Sequence, residues 1–115
     1  MPRESKSYDL VSDAALNSLR QLGARLREAR LRRNWTQAET AEKAGLSDSS
    51  VKKVESGSVR ITIGAYLSLL DVFGMPTAFN SVLLAGEDTL GEALSRSSLR
   101  QRARQPAVAE EDWEI

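Results

Sequence analysis

Along the chain, apolar residues recur at three- and four-residue steps in short blocks separated by Gly, Ser, Thr and Pro, the spacing of helices that bury one stripe. Ser12 is an N-cap with Asp13 in the first turn, and Leu16, Leu19, Leu22, Leu26 and Ala29 form the first stripe. That predicts a helix ending near Arg33; whether Gly23 interrupts it the pattern leaves open, and Asn34 and Trp35 end it. Thr36 with Glu39 three residues on is a capping box for a short second helix through about Ala44. Gly45 supplies its left-handed C-cap, and Leu46 plugs the core at the turn. Ser47 caps a third helix, in which Val51 and Val54 point inward before Gly57 ends it. Thr62 caps a fourth, Ile63 to Phe73, with Ile63, Leu67, Leu70, Val72 and Phe73 as its apolar residues and Gly74 closing it. Pro76 suits the first position of a fifth, with Phe79, Val82, Leu83 and Leu84 as its stripe up to Gly86. No strand pattern of comparable strength appears, so the expectation is an all-α, compact five-helix domain.

The patterning divides the chain into a flexible N-terminal arm (1–11), the helical domain (12–86) and a tail (87–115). In the tail, "EDTLGEAL" has enough apolar content for a helical turn or two. The stretch "SRSSLRQRARQP" carries Arg96, Arg100, Arg102 and Arg104 with no acid and little to bury. The last ten residues reverse the sign, with Glu110, Glu111, Asp112 and Glu114 around Trp113. Segregated charge with few apolar groups predicts a flexible, largely disordered tail, basic and then acidic.

Composition narrows the chemistry. The 115 residues include no cysteine and no histidine, which removes a disulfide framework, thiolate metal ligands and the commonest general base. No phosphate-cradling glycine loop or paired-carboxylate pattern is present either. The expectation is no catalytic site, no metal and no cofactor. No apolar run approaches the roughly 18 residues of a membrane span, so the default is a soluble, cytoplasmic chain without membrane contact. The net charge is zero, but its distribution is uneven. Residues 20–60 hold ten basic and five acidic groups, for +5, whereas residues 61–115 hold four basic and eight acidic, for −4. The positive block coincides with the second and third helices and the arginine-rich end of the first.

Within that block the third helix has an unusual outer face. Asp48, Ser49, Ser50, Lys52 and Lys53 occupy it, where a helix built only for packing would carry better helix formers. Two short helices joined by a tight glycine-containing turn form a helix-turn-helix unit, in which the first helix buttresses and the second lies in the major groove of DNA. A short, polar, basic outer face lets the backbone approach the base edges.

Residues from about Leu22 to Phe73 resemble the lambda-repressor-like helix-turn-helix family (the XRE or Cro/CI type), on the strength of "LGARLREARLRRNWTQAETAEKAGLS" followed by "VKKVESG". The resemblance implies a DNA-binding domain of that fold. It implies that Gln37 opens the supporting helix and braces a phosphate or the first reading residue. Asp48, Ser49 and Lys52 fall at base-reading positions, Ser47, the cap, is a DNA-binding candidate with them, and Ser50 and Lys53 are placed for phosphate or base contact. Glu55 is implied to make a structural contact near the helix end. Two residues depart from the pattern. Asp48 stands where a neutral side chain is usual, and either accepts from a cytosine amino group or only caps the helix. Thr40 stands where leucine is common, which thins the two-helix core.

Other readings compete at several positions. Lys52 and Lys53 alone would be an ordinary solvated face. Arg27, Arg30, Arg32 and Arg33 suit a helix C-terminus as well as phosphate contact, with Arg33 taken as a DNA-contacting candidate. Trp35 is expected to pack at the helix junction. Arg100, Arg102, Arg104 and Trp113 are candidates for binding a protein partner, since an aromatic among acids suits an anchor; a solvated tail or a nonspecific DNA arm are the other readings of the arginines. The expected partners are a palindromic double-stranded operator and a second copy of the chain, because one module makes too few base contacts alone. The layout resembles HipB-type antitoxins, which implies a repressor of its own operon, nucleoid-associated when DNA-bound, that neutralises a HipA-type toxin kinase. A stand-alone or phage-type XRE regulator, and a protein-interaction adaptor that has kept the fold without DNA, are the alternatives.

Overall fold

The structure, a computed structural model, describes residues 8–102, with side chains placed through residue 99. Five α-helices follow in order: α1 (Asp13–Arg32), α2 (Gln37–Ala44), α3 (Asp48–Glu55), α4 (Ile63–Val72) and α5 (Thr89–Arg102), with 3-10 turns at Ala78–Ser81 and Ala85–Glu87. Among the described residues there is no strand. The chain divides after Phe79 into two units, ahead of the boundary at 86 that the pattern suggests.

Caps set the helix limits in the first unit. Ser12 Oγ accepts the Ala15 N–H, and α1 runs unbroken through Gly23 to Arg32. The α2 capping box is complete: Thr36 Oγ1 accepts the Glu39 N–H at 3.0 Å, while Glu39 Oε1 accepts the Thr36 N–H at 2.8 Å. Gly45 closes α2 at φ 71°, the left-handed region that a side chain resists. At Gly23 and Gly57 space is also short: a Cβ on Gly23 would stand 2.5 Å from the Val54 carbonyl oxygen, and one on Gly57, itself at φ 73°, would run into the Arg20 backbone. Bare backbone at both positions lets α1 lie close against the end of α3.

The core is Leu26, Ala41, Val51, Val54, Ala65, Tyr66, Leu69, Leu70 and Phe73, and α3 packs on each of α1, α2 and α4. Thr40 is also fully buried, its Oγ1 donating to the Thr36 carbonyl at 2.9 Å, so the polar group in this core is satisfied within its own helix.

In α4 the buried stripe is Ala65, Tyr66, Leu69 and Leu70, continued by Phe73 at its C-cap, while Ile63 is 64% exposed and Leu67 faces solvent. Tyr66 on that buried side donates its hydroxyl to the Ser58 carbonyl at 2.8 Å. The helix expected from Pro76 to Leu84 is absent; its residues wind as the 3-10 turn Ala78–Ser81, and Leu83 takes φ 61°. Val82, Leu83 and Leu84 stand exposed, so the stripe that would have held a helix in place buries nothing. The first part of the tail is helical. The fifth helix is α5, starting where Asp88 Oδ1 accepts the Gly91 N–H at 3.0 Å. Residues 103–115 lie outside the described part, as do 1–7 of the N-terminal arm. In the described part of that arm the Val11 N–H donates to the Tyr8 carbonyl, and the Arg60 guanidinium lies 5.0 Å from the centre of the Tyr8 ring.

Candidate nucleic-acid interface

The turn between α2 and α3 is fixed by backbone bonds: the Gly45 N–H donates to the Glu42 carbonyl, and the Leu46 N–H to the Ala41 carbonyl at 2.8 Å. Leu46 is half-buried there, and Ser47 begins the next helix at once. Ser47 Oγ accepts the Ser50 N–H at 3.1 Å and donates to Ser50 Oγ at 3.0 Å, so the two hydroxyls hold the helix start together. The cap at α3 is therefore Ser47, and Asp48 is the first helical residue beside it.

Val51 and Val54 are fully buried and pin α3 from below. Asp48, Ser49, Lys52 and Lys53, spaced i, i+1, i+4 and i+5, share the opposite face. All four are exposed, and no described residue pairs with their side chains. This is a short, polar face with two free ammonium groups on a helix that is rigid behind it.

The rigidity has a particular source. Arg30 Nε donates to Glu55 Oε2 at 2.6 Å and Arg30 Nη2 to Glu55 Oε1 at 3.1 Å, a two-pronged pair whose side chains are only 8% and 4% exposed. Gln37 Nε2 donates to the same Glu55 Oε1 at 3.0 Å, and Arg30 Nη1 donates to the Trp35 carbonyl at 2.9 Å. One carboxylate thus joins the end of α3 to α1 and to the first residue of α2. Each ionic partner sits four residues beyond a buried one, Arg30 after Leu26 and Glu55 after Val51. That spacing was the signal in the sequence that Arg30 belongs inside and not among phosphate-seeking arginines.

Arg33 is likewise committed. Its Nη1 donates to the Ala29 carbonyl at 2.8 Å and its Nη2 to the Phe73 carbonyl at 2.9 Å, with the guanidinium 4.9 Å from the centre of the Phe73 ring. It closes the C-terminal ends of α1 and α4, over Trp35 stacked on Phe73 at 5.8 Å. Trp35 packs at the helix junction, with the Lys43 ammonium 4.9 Å from its ring. Of the sequence-derived candidates, Asp48, Ser49, Lys52 and Lys53 come together as a free face, Ser47 and Ser50 build its cap, and Gln37 and Arg33 are held by the protein itself. Arg100 and Arg102 lie in the last turns of α5 without described side chains, and Arg104 and Trp113 lie outside the described residues.

Two short helices at a glycine turn, the second presenting an uncommitted basic face, make a helix-turn-helix unit. The chain belongs to the helix-turn-helix domain family: the model of that family matches residues 21–78, half of the chain, from within α1 to the turn after α4. This agrees with the lambda-repressor-like resemblance of residues 22–73, and it makes the chain a DNA-binding regulator. Among curated proteins, none matches the chain. Among the described residues, no helix is long and apolar enough to cross a membrane, and no group of three or more His, Cys, Asp or Glu side chains is placed to hold a metal ion.

Proposed function

We propose that the chain is a sequence-specific transcriptional repressor of the XRE type that binds a palindromic operator as a homodimer. In this reading α3 enters the major groove. Lys52 and Ser49 meet base edges with Asp48 near a cytosine amino group, while Lys53 and Ser50 meet phosphates or base edges. The observation that carries it is the exposure of Asp48, Ser49, Lys52 and Lys53 without intramolecular partners on a helix whose other side is fully buried. An adaptor that never met DNA would have no use for that face. The exposed run Val82, Leu83 and Leu84 supports pairing of two copies, which would set half-sites about 34 Å apart.

The finer setting proposed is a HipB-like antitoxin that represses its own operon and neutralises a HipA-type kinase, in the cytoplasm and on the nucleoid. The support is the layout: a small DNA-binding unit followed by Arg100, Arg102, Arg104 and the acidic, Trp113-bearing end as the partner-binding segment. Titrating the chain against its own upstream DNA tests the first part; binding that falls steeply with salt is expected, and no binding at low salt overturns it. Co-purification with a neighbouring gene product, lost on deleting residues 106–115, tests the second; an unchanged complex overturns it.

A further inference from the structure

Wholly within the first unit, the chain carries an open apolar pocket of about 220 Å³ walled by Leu19, Leu22, Ile61, Ile63, Tyr66 and Phe79. An apolar cavity of about 150 Å³ takes a benzene ring, so this pocket has room for one ring and a short linker. It is smaller than the roughly 300–1,000 Å³ of sites built for drug-sized molecules. Its floor, Ser58 and Val59, continues into a polar recess bordered by Arg20 and Arg60. The Arg60 guanidinium is held over the Tyr8 ring, which leaves its charge in place. Neither arginine is ion-paired among the described residues, and Asp9 is the one carboxylate lining the recess, so the rim is net positive.

We propose that pocket and recess together bind a small arylalkyl carboxylate, its ring between Ile61, Ile63 and Phe79 and its carboxylate on the Arg20 and Arg60 guanidiniums. Apolar walls alone would accept any oily group of the right size. The two guanidiniums select an anion, and a carboxylate presents the two oxygens that match the fork of an arginine. The Tyr66 hydroxyl is already committed to the Ser58 carbonyl, so it leaves the wall apolar and the polar end of the ligand belongs in the recess. Asp9 competes with that carboxylate for the same two cations, which keeps the site weak for acids that lack the ring. The proposal goes beyond the DNA-binding reading and does not depend on it.

The test is solution NMR on the full chain without DNA, titrated with 3-phenylpropionate and, as the uncharged control, with 3-phenylpropionamide. Expected are saturable shifts of the Ile61 and Ile63 methyls with the acid, at a Kd on the order of 1 mM. The amide should bind about tenfold more weakly. Arg20→Gln combined with Arg60→Gln should bring the acid down to the level of the amide. Asp9→Asn should tighten the acid and leave the amide unchanged. Ile63→Glu, at a position 64% exposed and outside the core, should abolish binding of both while the α3 amide signals stay in place. Acid and amide that bind alike, or an acid that moves no pocket methyl up to about 20 mM, overturn the proposal. So do shifts near Arg20 and Arg60 that inorganic phosphate reproduces in full, and pocket methyls that follow protein concentration but not the acid.

Discussion

Arg30 and Glu55, twenty-five residues apart, form a two-pronged ion pair that is almost shut off from water, at 2.6 and 3.1 Å. Its geometry explains how an eight-residue helix can hold its exposed face without wavering: the carboxylate at the end of α3 is held from α1 and from α2 at once. Removing one partner leaves the other buried and uncompensated. Glu55→Leu alone should therefore cost about 3–5 kcal/mol of unfolding free energy, and Arg30→Met a similar amount. The pair Arg30→Met with Glu55→Leu should recover most of that loss, because two apolar side chains leave no stranded charge. Urea denaturation of the two single variants and the double variant checks it; a double variant as unstable as the sum of the singles contradicts the account.

The free lysines predict a separable effect. Lys52→Ala with Lys53→Ala should leave the melting transition unchanged, since both side chains are exposed and neither pairs with a described residue. Operator affinity should fall by 10-fold or more, and the slope of log affinity against log salt should shrink by about one for each phosphate that is no longer neutralised. Arg33→Ala should show the reverse pattern, with stability lower by about 1–2 kcal/mol through the lost Phe73 and Ala29 bonds and the salt slope unchanged. Anisotropy titrations at several salt concentrations distinguish the two.

Glycine substitutions should differ in cost. Gly45→Ala meets no atom within 4 Å, so only its left-handed backbone resists, at about 1–2 kcal/mol. Gly57→Ala adds a collision with the Arg20 backbone to the same backbone term and should cost about 3 kcal/mol or more. Equal losses in thermal denaturation would mean that α1 and the end of α3 are not in close contact.

Tyr66 gives the fold an alkaline limit. Burial raises its hydroxyl above the ordinary value of 10.0, because the charged phenolate is disfavoured in the core. A group whose folded value is raised contributes stability that is complete below about pH 10 and is lost as pH climbs through the folded value. Tyr66→Phe should therefore flatten the alkaline arm of a stability–pH curve. At neutral pH it should cost about 1 kcal/mol for the lost bond to Ser58. Curves that stay parallel up to about pH 11 contradict this role.

Much of the fold was legible in the residues because it is written locally. The capping box at Thr36 and Glu39, the Gly45 turn and the valine stripe of α3 are short-range signals, and each lies where the pattern puts it. What failed depended on distance. The stripe at Val82–Leu84 looks helical, yet only a facing surface could make it so. The bonds of Arg30 and Arg33 to partners 25 and 40 residues away, and that of Tyr66 to Ser58, likewise exist only once the fold is formed. The free face of α3 was legible because nothing in the protein competes for it, whereas the apolar pocket draws on α1, α4 and the loop before α4 and has no local signature.

The central claim is that the outer face of α3 meets DNA. Adding duplex from the chain's own upstream region to the isotope-labelled protein, and recording which backbone amides shift, tests it most directly. The account predicts the largest changes at Asp48, Ser49, Lys52 and Lys53, with the α4 amides near Ile63 and Leu67 almost still. Large changes along α4 beside an undisturbed α3 would contradict it.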